Sequence, residues 1–237
     1  MLDFLKGDNV KETRDLNKIV ESGDMGSLFS SAETTIDLLS SLIECRELND
    51  PWHISRLRTY TEILLKYMFK YKNEKFKLSY RDIEIYSKAT TLHDIGKITI
   101  PDSILLKKGM LTPIERETIK LHSLRGAEII EQLSSSLNST YFKACYDICK
   151  YHHERWDGSG YPERLKGEEI PLCARVVAIA DAYEALTSAR PYKPSFSHKI
   201  AVEMIENGDC GMFDPNILEC FKAVKNKFEK VAGKYID

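Results

Sequence analysis

Apolar residues recur three and four positions apart through most of this chain, the spacing that lines one face of an α-helix. Leu57, Tyr60, Leu64 and Met68 form one such stripe, in a helix that Asp50 caps and Pro51 opens. The next helix opens at Ser79, with Asp82 three residues on. Ile83, Tyr86, Thr90 and His93 continue its inward side to a His93-Asp94 pair in its last turn. Gly96 then breaks the helix and leaves Lys97 beside that pair. Thr112-Pro113-Ile114-Glu115 is a capping box that begins a long helix with Ile119, His122, Gly126, Ile129 and Leu133 on one face. Gly126 costs helix propensity there, so a neighbour should pack closely against its backbone. Thr140 starts a helix with the inner stripe Tyr141, Cys145, Ile148 and His152, and His153 follows at once. Pro171 opens the most apolar helix, Cys173 to Ala182, with Asp181 inside the run. Two covering helices begin at Ser197 and at Asp214-Pro215, the second with Ile217, Phe221, Val224, Phe228 and Val231 as its stripe.

Residues 1 to 29 are polar, weakly periodic and interrupted by Gly7, Gly23 and Gly26, so they read as an extension. One domain over 30–237 follows, its first helix running from the Ser30-Ser31-Ala32-Glu33 capping box through Ile36, Leu39 and Ile43 to about Leu48. A chain of 237 residues that is 43% apolar buries one sizeable core. A net charge of -2 supplies no global field for DNA or an anionic membrane, so an anionic ligand needs a local site. No run has the length of a membrane span, and Met1 to Lys6 lacks the apolar core of a signal peptide; a cytoplasmic location is expected. Cys45, Cys145, Cys149, Cys173, Cys210 and Cys220 lack metal-ribbon spacing and read as reduced core residues.

The chemistry lies where polar residues interrupt the apolar faces. His53, in the first turn of its helix, taken alone reads as a surface residue. His93, His122 and His152 occupy inward slots, Asp94 and His153 adjoin them, and Asp181 is a carboxylate within an apolar helix. Buried imidazole and carboxylate groups are costly unless a cation compensates them. For Asp181 an arginine partner is the alternative to a metal. The set His53, His93, Asp94, His122, His152, His153 and Asp181 uses five of the six histidines and contains no thiolate. It is too large for a closed tetrahedral zinc site and suits a multi-metal centre of iron, manganese, nickel or catalytic zinc. Beside it, Glu154 to Pro162 is too rich in Gly and Asp to be helical and forms an ordered or mobile loop. Arg190-Pro191-Tyr192-Lys193-Pro194 holds two cations on a proline-stiffened loop, for which a solvated basic turn is the alternative.

These stretches resemble the HD-GYP family in content and order over about residues 30 to 230. The resemblance rests on His53-Ile54-Ser55-Arg56, Leu92-His93-Asp94-Ile95-Gly96-Lys97, Ile100-Pro101-Asp102-Ser103-Ile104-Leu105, His122, Ala180-Asp181 and Arg190-Pro191-Tyr192-Lys193. Its most specific part is the run His152-His153-Glu154-Arg155-Trp156-Asp157-Gly158-Ser159-Gly160-Tyr161-Pro162. It implies an all-α, HD-type helical bundle around a multi-metal site, and hydrolysis of cyclic di-GMP to linear pGpG. The seven ligands match the family's metal ligands, with Asp94 bridging two metals. Lys97, Arg190 and Lys193 match residues that approach the substrate phosphates, and Gly160-Tyr161-Pro162 matches the loop that names the family. Asp94 and Lys97 are thus the expected catalytic pair. Trinuclear members carry a glutamate four residues before the first histidine ligand, where this chain has Asn49, so two transition-metal ions are expected, iron or manganese before nickel or zinc. The expected partner is cyclic di-GMP or a related cyclic dinucleotide, with a homodimer or an upstream signalling partner compatible with the sequence. A non-catalytic dinucleotide sensor and a phosphohydrolase for another nucleotide are the alternatives; the intact ligand set with Lys97 argues against the first.

Overall fold

The stripe from Leu57 to Met68 becomes the inner face of α1 (His53–Tyr71), where Leu57, Tyr60, Leu64, Leu65 and Met68 are fully buried. A computed structural model describes residues 40, 43, 50, 52–134, 139–188 and 195–234, all within one compact unit, Ser40–Asp237. The expected extension and the helix from Ser30 lie outside the described residues apart from Ser40 and Ile43, both buried.

After α1 come α2 (Asn73–Phe76), α3 (Tyr80–Ala89), two 3₁₀ turns (Thr90–Leu92 and Ile95–Thr99), α4 (Asp102–Leu105), α5 (Pro113–Ser134) and α6 (Thr140–Tyr151). A 3₁₀ turn at Gly167–Glu169 precedes α7 (Leu172–Thr187), α8 (His198–Asn207) and α9 (Pro215–Lys234). No strand occurs among the described residues, in agreement with the all-α expectation. α1 packs against α3, α7 and α9. At that junction Tyr60 stacks on Phe228 at 4.5 Å between ring centroids, and Tyr183 meets Tyr60 edge-on at 5.2 Å. Fully burying each such side chain is worth about 1.5–3 kcal/mol. Apolar contacts of this kind join α1 to α7.

The expected capping box at Thr112 forms, the one at Ser30 lies outside the described residues, and Ser79 with Asp82 makes a further box. Ser79 Oγ accepts from the Asp82 amide at 3.1 Å while Asp82 Oδ2 accepts from the Ser79 amide at 2.8 Å. Thr112 and Glu115 exchange the same pair of bonds at 3.2 and 2.7 Å. Cys145, Cys149, Cys173 and Cys220 are buried free thiols as expected, whereas Cys210 is free but only half-buried and Cys45 lies outside the described residues.

Two expectations need correction. The helix before the His-Asp pair does not reach it: α3 ends at Ala89, and His93 and Asp94 lie between 3₁₀ turns. Thr90 and Thr91 donate their hydroxyls back to the Tyr86 and Lys88 carbonyls at 2.7 and 2.9 Å, competing with continued α-helical pairing. The chain then tightens into three-residue steps, with the His93 amide on Thr90 O and the Lys97 amide on Asp94 O. The buried face of α5 is also rotated from the expected one. It carries His122, Ser123, Gly126, Ala127 and Ile130, whereas Leu133 is exposed.

That rotation follows from a backbone contact. A Cβ on Gly96 would fall 1.9 Å from His122 O and 2.5 Å from Gly126 N, and one on Gly126 would lie 3.3 Å from Gly96 N. Gly126 does have the close neighbour its helix position suggested, and the neighbour is Gly96. This contact sets Asp94 opposite His122. Gly96→Ala is expected to lower stability by at least the about 1–3 kcal/mol typical of overpacking, because the obstruction is backbone. Gly233→Ala, whose Cβ meets nothing within 4 Å, should leave the thermal midpoint unchanged or higher. Equal midpoints for the two variants would refute the role given to the Gly96 contact.

Candidate metal centre

Three elements converge on one carboxylate. Asp94 comes from the tight turn, His122 from α5, and His152 and His153 from the end of α6. Each offers one donor atom, and these four atoms all lie within 4.8 Å of one another. Asp94 Oδ1 is 3.1 Å from His122 Nε2 and 3.7 Å from His152 Nε2. Its other oxygen is 3.1 Å from His93 Nε2 and 2.7 Å from Lys97 Nζ. Asp181, from α7, brings Oδ1 to 3.9 Å from His93 Nε2, and the His53 and His93 rings are 6.0 Å apart. The structure thus gathers Asp94, His122, His152 and His153 tightly and sets His93, Asp181 and His53 along one side.

The tautomers are decided by what the other ring nitrogens touch. Nδ1 of His93, His122 and His152 sits 3.1, 2.7 and 2.8 Å from the carbonyls of Thr90, Ile119 and Ile148. A carbonyl only accepts, so each Nδ1 carries the proton and each Nε2 presents a lone pair to the site. His122 Nε2 and His152 Nε2 are 3.4 Å apart. Two lone pairs and an ionised carboxylate facing one another repel unless a cation lies among them, so the donor set fits a divalent metal ion.

The charge states agree. Burial, against the pull of Asp94, pushes the His152 imidazole down from 6.5 to about 3. His153 is held well below 6.5, chiefly by burial. Burial alone would raise Asp94, but the neighbouring His93, Lys97 and His122 override it and hold the carboxyl well below 3.8. At neutral pH His152 and His153 are therefore neutral and Asp94 is ionised, the forms that bind metal.

Behind His53 lies a network that the sequence pattern did not reveal. Glu184, fully buried on α7, accepts from His53 Nδ1 at 3.2 Å, from Arg56 Nε at 3.0 Å and from Ser188 Oγ at 2.7 Å. Arg56 also donates to Ser188 Oγ and pairs with Asp50. Arg56 thus pairs with the carboxylate three residues after Asp181 on the same helix. A second acid at helical spacing within the same apolar helix was the available signal. Asp50 accepts from the Trp52 amide at 3.0 Å but is not the expected N-cap of α1, which opens at His53 with Trp52 in the cap position and no side-chain cap bond.

The loop after His153 is ordered. Glu154, itself buried, accepts from the amides of Glu163 at 2.7 Å and Leu165 at 3.1 Å, which closes the loop on itself. Gly160 is needed for this closure, since a Cβ there would lie 2.4–2.5 Å from Arg155 N, Glu154 Cα and His153 O. Tyr161 stacks on His153 at 4.7 Å between centroids. A cavity of ≈ 370 Å³ beside this loop is lined by Lys120, Ser159, Gly160, Tyr161, Pro162 and Arg164, among others. The larger cavity between α1 and α3, ≈ 600 Å³, contains none of the candidate ligands. Asn49, Arg190 and Lys193 lie outside the described residues.

A family model described as HD domain matches residues 39–217, most of the chain. This chain belongs to the HD domain family. As an HD domain it is 41% identical over 209 residues to a cyclic di-GMP phosphodiesterase of Vibrio cholerae, covering 88% of this chain and 42% of that protein. It is 43% identical over 143 residues to a cyclic di-GMP phosphodiesterase of Thermotoga maritima, covering 60% and 38%. A 3′3′-cGAMP-specific phosphodiesterase of V. cholerae is 31% identical over 206 residues, covering 83% and 37%. The HD domain chain spans less than half the length of these relatives. A crystal structure of a cyclic GMP-AMP specific phosphodiesterase of V. cholerae superposes with a TM-score of 0.54 at 18% identity, covering 86% of this chain and 52% of the other, and supports the fold. Family and relatives bear out the HD-GYP resemblance. Among the described residues of this HD domain no helix is long and apolar enough to cross a membrane.

The buried histidines give the metal-free protein a pH dependence. Between about 3, where folded His152 titrates, and its ordinary 6.5, the unfolded chain binds more protons, so stability rises with pH across that window. The thermal midpoint of metal-free protein is expected to fall as pH drops below 6.5, and His152→Gln should flatten the slope. A midpoint insensitive to pH in that window would contradict a neutral, buried His152.

Proposed function

We propose that this chain is a metal-dependent phosphodiesterase that opens cyclic di-GMP to linear pGpG in bacterial second-messenger signalling, a cytoplasmic reaction. The observation that carries the reading is the buried Asp94 carboxylate, held within 3.1 Å of His93 and His122 nitrogens and 2.7 Å from Lys97. The similarity to named cyclic di-GMP phosphodiesterases supports the substrate class.

Asp94, His122, His152 and His153 would hold one metal ion, and Asp94 with His53, His93 and Asp181 a second, iron or manganese in each case. When bound, such a pair supplies a strong nucleophile from water near neutral pH and polarises a phosphoryl oxygen. The protein's own groups do the rest. Nδ1–H bonds to carbonyls keep three Nε2 lone pairs aimed inward. Lys97 Nζ, on Asp94 Oδ2, adds a fixed positive charge where the equatorial phosphate oxygens gain negative charge in the transition state. Arg190 and Lys193 would hold the second phosphate or a guanine edge, arginine through two parallel hydrogen bonds. Gly160, Tyr161 and Pro162 would wall the substrate on the far side, the cavity they line supplying room for a base. Asn49 is a poorer ligand than a carboxylate and offsets no charge, which favours two metals over three and pGpG over GMP.

The relative named for 3′3′-cGAMP supports a second reading, a mixed cyclic dinucleotide as substrate; its lower identity places it behind cyclic di-GMP. Chromatography after anaerobic incubation with both dinucleotides and Fe(II) or Mn(II), alongside elemental analysis, decides between them. Two metals per chain and pGpG as the main product are expected, and GMP as the main product from cyclic di-GMP would defeat the two-metal argument. Asp94→Ala is expected to reduce hydrolysis more than about 100-fold and to lower metal content; near-normal turnover would remove Asp94 from the mechanism. Arg190→Ala and Lys193→Ala should each raise KM about ten-fold or more with metal content unchanged. Unaltered KM and kcat in both would detach that segment from substrate.

A further inference from the structure

The described histidine ligands differ in what stands behind them. His93, His122 and His152 each donate Nδ1–H to a backbone carbonyl, whereas His53 donates to a carboxylate, Glu184 Oε1, at 3.2 Å. Glu184 is fully buried, and so is most of Arg56, which donates Nε to both Glu184 oxygens at 3.0 and 3.2 Å. Arg56 reaches Asp50 through two further nitrogens and Ser188 Oγ at 3.0 Å. Ser188 in turn donates to Glu184 Oε1 at 2.7 Å.

A purely structural account would have this network rivet α1 to α7. Buried ion pairs are weak sources of net stability, because desolvation offsets most of the attraction. The helices are already joined by the apolar contacts of Leu57, Tyr60, Leu64 and Tyr183. What apolar packing does not supply is a negative acceptor on His53 Nδ1. Such an acceptor fixes the ring with Nε2 as the lone-pair nitrogen and makes that nitrogen more basic. Arg56, held between two carboxylates, keeps the Glu184 charge in place without taking its bond to His53.

We infer that Glu184 is a positioning residue for the His53 end of the metal centre, setting the tautomer and ligand strength of His53 while Arg56 and Ser188 hold the carboxylate. This rests on His53 being a metal ligand, as the proposed function has it. Through Ser188 the same carboxylate also anchors the chain two residues before Arg190, so one buried group serves both the ligand and the start of the segment proposed to bind substrate.

The test is anaerobic Mn(II) titration with elemental analysis, on variants whose helix content matches wild type by circular dichroism. Glu184→Gln keeps the shape and removes the charge; it is expected to weaken one of two Mn(II) sites at least about ten-fold and spare the other. In a His53→Gln background the same substitution should change neither site further. In metal-free protein, imidazole ¹⁵N shifts should report His53 protonated on Nδ1 in wild type and a mixture of tautomers in Glu184→Gln. Should Glu184→Gln fail to fold, Glu184→Asp keeps the charge beside Arg56 while withdrawing it from His53, and the same ten-fold weakening is expected. Wild-type affinity at both sites in a folded Glu184→Gln or Glu184→Asp protein overturns the inference, as does an equal effect with and without His53. Wild-type protein that takes up no Mn(II) overturns the reading of the centre itself, and this inference with it.

Discussion

The candidate metal centre is arranged around a single buried anion, Asp94. Asp94 is buried, and its carboxyl stays ionised because His93 at 3.1 Å, Lys97 at 2.7 Å and His122 at 3.1 Å offset the cost of burial. Each of those groups is there for a local reason. The turn that carries Asp94 abandons α-helical geometry after two back-bonded threonines, which brings His93 and Lys97 to the same carboxylate oxygen. The Gly96 to Gly126 contact then lets the turn approach α5 at backbone distance, and His122 meets the other oxygen. Without that approach the carboxylate would be buried facing half of its partners, a state that costs several kcal/mol.

The two sides of the centre are built differently. On the Asp94, His122, His152 and His153 side, the donors lie within 4.8 Å and are oriented by main-chain carbonyls of α5 and α6, which are as rigid as the helices themselves. On the His53 side the orienting group is a side-chain carboxylate reached through an arginine. That arrangement is more adjustable, and it is connected through Ser188 to a neighbouring segment. Rigid support suits a site that must hold charge permanently. Side-chain support suits one linked to whatever approaches over it.

Relatives of this HD domain are named for cyclic di-GMP and for 3′3′-cGAMP, so family membership by itself does not identify one nucleotide. Beside the centre the chain forms a wall of its own. It includes the ordered loop that Glu154 closes and Gly160 permits, with Tyr161 stacked on His153. The loop brings Ser159, Tyr161 and Arg164 to a cavity shared with Lys120 of α5. Its order comes from hydrogen bonds to its own backbone, so its side chains are free to differ in what they present to a base.

Much of this was legible in the chain itself. Local rules act over three or four residues, so the helix start at Ser79, the capping box at Thr112, the stripes of α1 and α9 and the need for a close partner at Gly126 could be read directly. The inward slots of His93, His122 and His152 followed from the same periodicity, and the run His152 to Pro162 carried the family resemblance. What the sequence could not determine depends on distance through space. The identity of Gly126's partner, the rotation of the α5 face that leaves Leu133 in solvent, and the end of α3 at Ala89 were decided by contacts between segments far apart in the chain. So was the partner of Arg56: Asp181 and Glu184 sit three residues apart on one helix and read alike in sequence, and only the crossing of α1 over α7 brings Glu184 to Arg56 and Asp181 to 3.9 Å from His93. Helical period tells which residues face inward; the packing of the helices decides what each one meets there.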